Sequence, residues 1–373
     1  MKKITRREFL KKSIGITSAL TCAGLWPLTS SAQAGILQPK SEVALVKGND
    51  ITQITSQALE LLGGVKRVIK PGAKVFIKPN YIAGGFMGHD PVQSGEIPHP
   101  EVVAAVAHEC VKAGAKQVVI GEWFERPLKI EFGGEKSKYG AQVKKLVEKI
   151  NKKFGDKVSL VDLRKYTKSF IYVPSSTKIQ WLAIPNLVAE ADTVISVAVL
   201  KTHHRPISVT FGMKNFVGIM PSILYGEPRM KLHEAGINQV ILDIVKGIKP
   251  KLTVISGVYG MEGEGVVLSF GGKPVDIASR IGGAVVIAGF DPVATDATAT
   301  RLITKNWQPQ PRDTDLGVPW YVKHLRMAYN QGIGQIHSSH IEIKGERLDD
   351  LAMSWLMPGK NTYPELPNYV NNL

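Results

Sequence analysis

An α/β fold is expected, with a mainly parallel sheet, helices on both faces and some inserted hairpin structure. Three features of the sequence predict it. Short runs rich in valine, isoleucine and leucine alternate with segments of helical periodicity, the order of a strand–helix repeat. Several of the short runs, Val194–Leu200 and Ala284–Ala288 among them, are continuously apolar, as strands covered on both faces are. The segment Pro100–Ala113 carries a helix's own punctuation. Pro100 and Glu101 suit a first turn, Gly114 suits the stop, and Val102, Val103, Val106, Ala107, Cys110 and Val111 share one face.

The remaining strands are expected at Val43–Val46, Val75–Lys78, Val118–Gly121, Val158–Val161 and Leu252–Val258. Further helices are expected at Ile51–Val68, Gly140–Phe154, Ile237–Lys246, Pro292–Thr304 and Pro319–Asn330. Phe170–Ile184 reads as a hairpin or an irregular insertion. No repeat of solenoid length is visible. The chain therefore divides into a leader at 1–34, a single α/β domain at 35–345 and an extended tail at 346–373, rich in proline and asparagine toward its end. Cys110, on the apolar face of its helix, reads as a core residue and not a nucleophile.

The leader resembles a twin-arginine signal peptide. Thr5-Arg6-Arg7-Glu8-Phe9-Leu10-Lys11 precedes a moderately apolar stretch, Ile14–Leu28, and Ser31-Ala32-Gln33-Ala34 offers a small-residue cleavage site. The stretch is too short and too polar to serve well as a membrane anchor. No other stretch is long and apolar enough to span a bilayer, so the mature chain is expected to lack a transmembrane segment. The expected location is the periplasm or another exported compartment, with the twin-arginine translocase as a partner.

The formal charge is +15, and the leader holds six basic residues against Glu8, which leaves +10 for the rest. That balance favours anionic ligands or surfaces. The basic residues are scattered without interleaved aromatics, so no specific nucleic-acid binding is expected. Cys22 lies in the leader, and Cys110 alone can form neither an internal disulfide nor the ligand set of an iron–sulfur cluster.

The usual nucleotide-binding, zinc-protease and serine-hydrolase motifs are missing. Position carries the argument instead, because ligands of open α/β sheets bind beyond the carboxyl ends of the strands. Lys78 and Asn80 follow one expected strand, together with a loop containing Gly84, Gly85, Gly88, His89 and Asp90. Glu122 ends another. Lys201 and His203 follow a third, with Lys214 and Asn215 close behind. Gly260-Met261-Glu262-Gly263-Glu264-Gly265 follows a fourth. Asp291 before Pro292 reads as a helix cap. Lysine offers a point charge to a carboxylate or phosphate, and histidine changes charge near neutral pH.

These blocks resemble the signatures of the domain-of-unknown-function 362 family: Lys78-Pro79-Asn80, Leu200-Lys201-Thr202-His203, Met213-Lys214-Asn215 with Gly218, His233, Gly260-Met261-Glu262-Gly263 and Asp291-Pro292-Val293-Ala294-Thr295-Asp296. They run in the family's order across about residues 43–305. The resemblance implies the fold and the site. Many members carry ferredoxin-type cysteine runs and are described as iron–sulfur proteins, and this chain departs from them there. It also has Ser256 where many members have an aspartate.

Two readings stand. In the first, the chain is an exported enzyme acting on a small anionic molecule. Lys78, Lys201 and Lys214 hold the anion, Asn80 and Asn215 orient it, His203 moves a proton and Glu262 or Glu264 is its partner acid. The family's association with redox proteins keeps an electron-transfer setting open, for which a redox partner or a bound cofactor would be needed. In the second, the protein is a non-catalytic binder of an anion or of a divalent metal, the metal held by His203, His233 and Glu262.

Overall fold

The computed structural model describes residues 40–81, 89–124, 138–204, 206–226, 229–307 and 315–358. The expected leader with its expected cleavage site, the loop glycines Gly84, Gly85 and Gly88, and residues 359–373 of the expected tail lie outside the described residues. Met1–Leu37 and Gln38–Leu373 form two separate units, and all that follows concerns the second.

Ten of the described strands form one mixed sheet. In chain order they are β1 (Ser41–Gly48), β2 (Lys74–Pro79), β3 (Gln117–Glu122), β4 (Val158–Asp162), β7 (Thr193–His203), β8 (Ser208–Thr210), β9 (Leu252–Gly263), β10 (Gly272–Asp276), β11 (Ala284–Gly289) and β12 (Ile341–Gly345). The spatial order is β12-β1-β11-β9-β7-β2-β3-β4, with β10 beside β9 and β8 beside β7. β9, β7, β2, β3 and β4 run parallel to one another and β12 runs parallel to β1, whereas β11 is antiparallel to both β1 and β9, β10 to β9 and β8 to β7. The chain is thus an α/β protein with a mostly parallel sheet. β5 (Phe170–Pro174) and β6 (Trp181–Pro185) form a separate antiparallel hairpin, at the segment that read as a hairpin or insertion.

Alternation along the strands sorts the core into two layers. Val75 and Ile77 of β2, with Ile195 and Val197 of β7, belong to one apolar cluster. Phe76, Val194, Ala198 and Leu200 belong to the other. The first layer is closed by helices Ile51–Leu61, Pro100–Lys112 and Lys138–Phe154, and the second by Ile237–Ile248, Pro292–Ile303 and Lys323–Asn330. Both faces of β7 are covered, which is why its eleven residues are all buried and why its sequence shows little polar alternation. Cys110 is fully buried in the first layer, and burial pushes its thiol pKa up.

Several elements differ from expectation. The first helix stops at Leu61 because Gly63 and Gly64 take positive φ, and a short 3-10 turn, Val65–Arg67, replaces its last turns. β9 does not end near Val258. It continues through Gly263, with Glu262 opposite Lys273 of β10. The first part of the expected tail is packed, not extended over the surface. Leu351, Met353 and Trp355 alternate inward, and the Met353 and Trp355 amides donate to the carbonyls of Leu302 and Ile303 at 2.6 and 2.9 Å. Among the described residues, no helix is long and apolar enough to cross a membrane.

Candidate functional site

The strand order reverses between β2 and β7, since β3 and β4 extend the sheet one way from β2 and β9 extends it the other way from β7. Such switch points open a crevice at the carboxyl edge. Lys78, Asn80 and Tyr81 come from the end of β2, Glu122 and Trp123 from the end of β3, and His203 from the end of β7. They line one cavity of about 450 Å³, together with Thr210, Lys214, Asn215, Arg229 and His233.

Lys78 and Glu122 form an ion pair at the deepest part, both nearly inaccessible to solvent. The Lys78 ammonium also donates to Pro79 O at 2.6 Å and to Asn215 Oδ1 at 3.2 Å. Its three protons are therefore committed to the protein. Glu122 accepts in addition from the amides of Tyr81 at 3.0 Å and Trp123 at 3.2 Å. Burial pushes the lysine pKa down and the glutamate pKa up, and their mutual attraction opposes both shifts. Gly218 is a glycine because of this pair: a Cβ there would lie 2.7 Å from Lys78 Nζ and 2.8 Å from Glu122 Oε1.

Asn215 is a strap across the switch point. Its Nδ2 donates to Lys78 O at 2.8 Å and to Ser196 Oγ at 2.9 Å. The turn that carries it, Gly212–Asn215, is held from below by Asp296. That carboxylate accepts from the amides of Gly212 at 2.8 Å and Met213 at 2.9 Å, and burial raises its pKa to about 7. Asp296 thereby sets the position of Lys214. Asp291 caps the helix Pro292–Ile303 through the amides of Val293 and Ala294.

The predicted residues separate into groups. Lys78, Asn80, His203, Lys214, Asn215 and His233 share the cavity. Lys201 stands behind its wall. It is fully buried, and its Nζ donates to Asn80 Oδ1 at 3.1 Å, Glu96 O at 2.7 Å and Val266 O at 3.4 Å. Burial lowers its pKa to about 7, against the pull of Glu96. Lys201 thus pins three segments together and has no proton left for a ligand. Glu262 lies away from the cavity, because the continuation of β9 carries it past the strand end. It accepts from the Leu356 amide at 2.9 Å and lies 3.6 Å from Arg280. Glu262 is therefore not the partner acid of His203, and it does not join His203 and His233 around a metal. Among the described residues no cluster of three His, Cys, Asp or Glu side chains is placed to hold a metal ion.

His203 is almost fully buried, and its Nδ1 lies 3.0 Å from His204 O. A carbonyl only accepts, so Nδ1 carries the hydrogen and Nε2 carries the lone pair. Burial, then the charge of Lys214, holds the His203 pKa well below its usual value. The same two causes lower His204, and they hold His233 at about 4. Three neutral imidazoles therefore face Lys214 near neutral pH.

Sequence reasoning missed Arg229 and Thr210. Arg229 takes a left-handed backbone conformation, and its guanidinium donates to the carbonyls of Met220 at 2.7 Å, Trp123 at 2.6 Å and Gly218 at 3.1 Å. These carbonyls orient the guanidinium, and its charge also acts on Glu122. No spacing in the sequence connects it with β3. Thr210, at the end of β8, presents a buried hydroxyl that has no hydrogen-bond partner.

The chain matches the family described as "Domain of unknown function (DUF362)" over residues 75–301. A thylakoid-associated protein of Synechocystis sp. is 28% identical over 214 residues, which are 56% of this chain and 58% of that protein. The match thus spans little more than half of that relative's length. Among solved structures, the lactate racemase apoprotein of Thermoanaerobacterium thermosaccharolyticum is 12% identical with a TM-score of 0.36, covering 86% of this chain and 88% of that one. A protein from Thermotoga maritima is 13% identical with a TM-score of 0.31, covering 58% of this chain and 52% of that one.

Proposed function

This chain belongs to the DUF362 family, and from that premise we propose that it is an exported enzyme acting on a small anionic molecule bound in the cavity at the β2–β7 switch point. One observation carries the reading: a buried, neutral histidine with a free Nε2 lone pair shares a crevice with two cationic side chains, Lys214 and Arg229. Two cationic side chains lining one crevice make it attractive to a carboxylate or phosphate. A neutral imidazole beside a bound anion is equipped to accept a proton at Nε2.

In this arrangement Lys214 and Arg229 hold the anion, and Thr210 offers a further donor. Lys78 and Glu122 cancel each other and give the floor a polar surface of small net charge. Asn80, Asn215 and Lys201 fix the walls. The paired arginines Arg6 and Arg7 and the apolar run behind them support export by the twin-arginine route.

The test compares two variants. Lys214→Met keeps bulk and removes charge, so binding of acetate or phosphate in a thermal-shift titration should weaken by the worth of a charge-assisted hydrogen bond, about 1.5–3 kcal/mol. His203→Gln should leave affinity nearly unchanged and abolish turnover once a substrate is in hand. Wild-type anion binding in Lys214→Met would refute the reading.

A further inference from the structure

The cavity is apolar where it opens and polar where it ends. Lys78, Glu122, Asn215 and His203 are each 3% exposed or less, whereas Met230 and Phe270 on the same cavity are 48% and 61% exposed. Phe270 is nonetheless held in place, edge-on to the His204 ring with centroids 6.2 Å apart. Between rim and floor the wall is formed by Trp123, Val217, Val266 and Val267. A hydrated inorganic anion would fill only the polar end and would leave this apolar sleeve wet. Burying apolar surface is favourable only for a ligand that has some of its own.

We propose that the ligand is an organic anion with an apolar body, a monocarboxylate of medium chain length or with an aromatic ring. Its carboxylate lies at Lys214 and Arg229, and its body lies along Trp123, Val266, Met230 and Phe270. The unpartnered Thr210 hydroxyl donates to the carboxylate or to a hydroxyl beside it. This specifies the anion reading above and rests on it.

The experiment is a calorimetric titration of the purified protein with inorganic phosphate, acetate, butyrate, hexanoate and 3-phenylpropionate, and with the neutral hexanamide. Affinity should rise about fourfold for each methylene buried, and 3-phenylpropionate should bind with hexanoate and not with acetate. Phe270→Ser, at an exposed position that the fold does not depend on, should flatten the dependence on chain length. Lys214→Met should weaken the whole series in parallel. Phosphate and acetate binding as tightly as hexanoate would overturn the apolar-body proposal and leave the anion site standing. Hexanamide binding as tightly as hexanoate, or no anion binding at all, would instead overturn the anion site itself.

Discussion

Replacing Glu122 by glutamine isolates the buried ion pair on which the cavity floor is built. Glu122 receives the Lys78 ammonium and the amides of Tyr81 and Trp123. A glutamine oxygen can keep some of these bonds, but its NH₂ group then confronts another donor, and the lysine charge stays buried without its partner. Breaking a buried pair from one side costs about 3–5 kcal/mol. At roughly 2 cal/mol/K per residue, a folded unit of this length has an unfolding entropy of about 0.7 kcal/mol/K, so Tm should fall by about 4–7 °C. Differential scanning calorimetry at neutral pH measures this. Lys78→Met should cost a similar amount. The double variant Lys78→Met/Glu122→Gln should cost clearly less than the sum, because no unpaired charge remains. Additive losses, or a Glu122→Gln variant as stable as wild type, would show that the two side chains do not act as a pair.

Other outcomes follow from neighbouring geometry. His203, His233 and His324 all have folded-state pKa values below their unfolded one, His233 at about 4 and His324 at about 3, chiefly through burial. The folded state therefore binds fewer protons than the unfolded state below about pH 6.5. Stability should be fully present above that pH and be lost as pH falls toward 4, and a Tm that stays flat from pH 7 to pH 4 would contradict these placements. Asp296→Asn sets an NH₂ group against one of the two buried amides that its carboxyl oxygens accept from, so it should cost about 2 kcal/mol and weaken anion binding by displacing Lys214, measured by the same titration. Cys110→Ala should cost about 1 kcal/mol for a small buried side chain and leave ligand binding intact. Lysines in place of Arg6 and Arg7 should leave a full-length precursor in the cytoplasm, visible by fractionation and immunoblot.

Much of the fold was readable because its signals are local. Continuous apolar runs announced strands buried on both faces, whereas the periodic pattern through Val68 hid the stop that Gly63 and Gly64 impose on the first helix after Leu61. The strand-end rule located Lys78, Asn80 and His203 correctly relative to one another, since β2 and β7 are hydrogen-bonded neighbours. It misplaced Glu262 for a physical reason. Glycine-rich sequence such as Gly260–Gly265 usually turns the chain, but here β10 returns to pair with it, and the glycines allow close packing instead: a Cβ at Gly260 would lie 2.6 Å from Leu200 O.

The sequence by itself determined the alternation of strand and helix and the chemical types available for a site, because these depend on neighbouring residues and on composition. Only the tertiary structure decided what surrounds each charge. Lys78, Lys201 and Lys214 look alike in the sequence, yet Lys78 is matched by Glu122 across 44 residues, Lys201 is bound by Asn80 and by the carbonyls of Glu96 and Val266, and Lys214 faces the histidines. A lysine's role depends on which donors and acceptors surround its ammonium. Those partners come from segments far apart in the chain, and only the packing of the sheet brings them together.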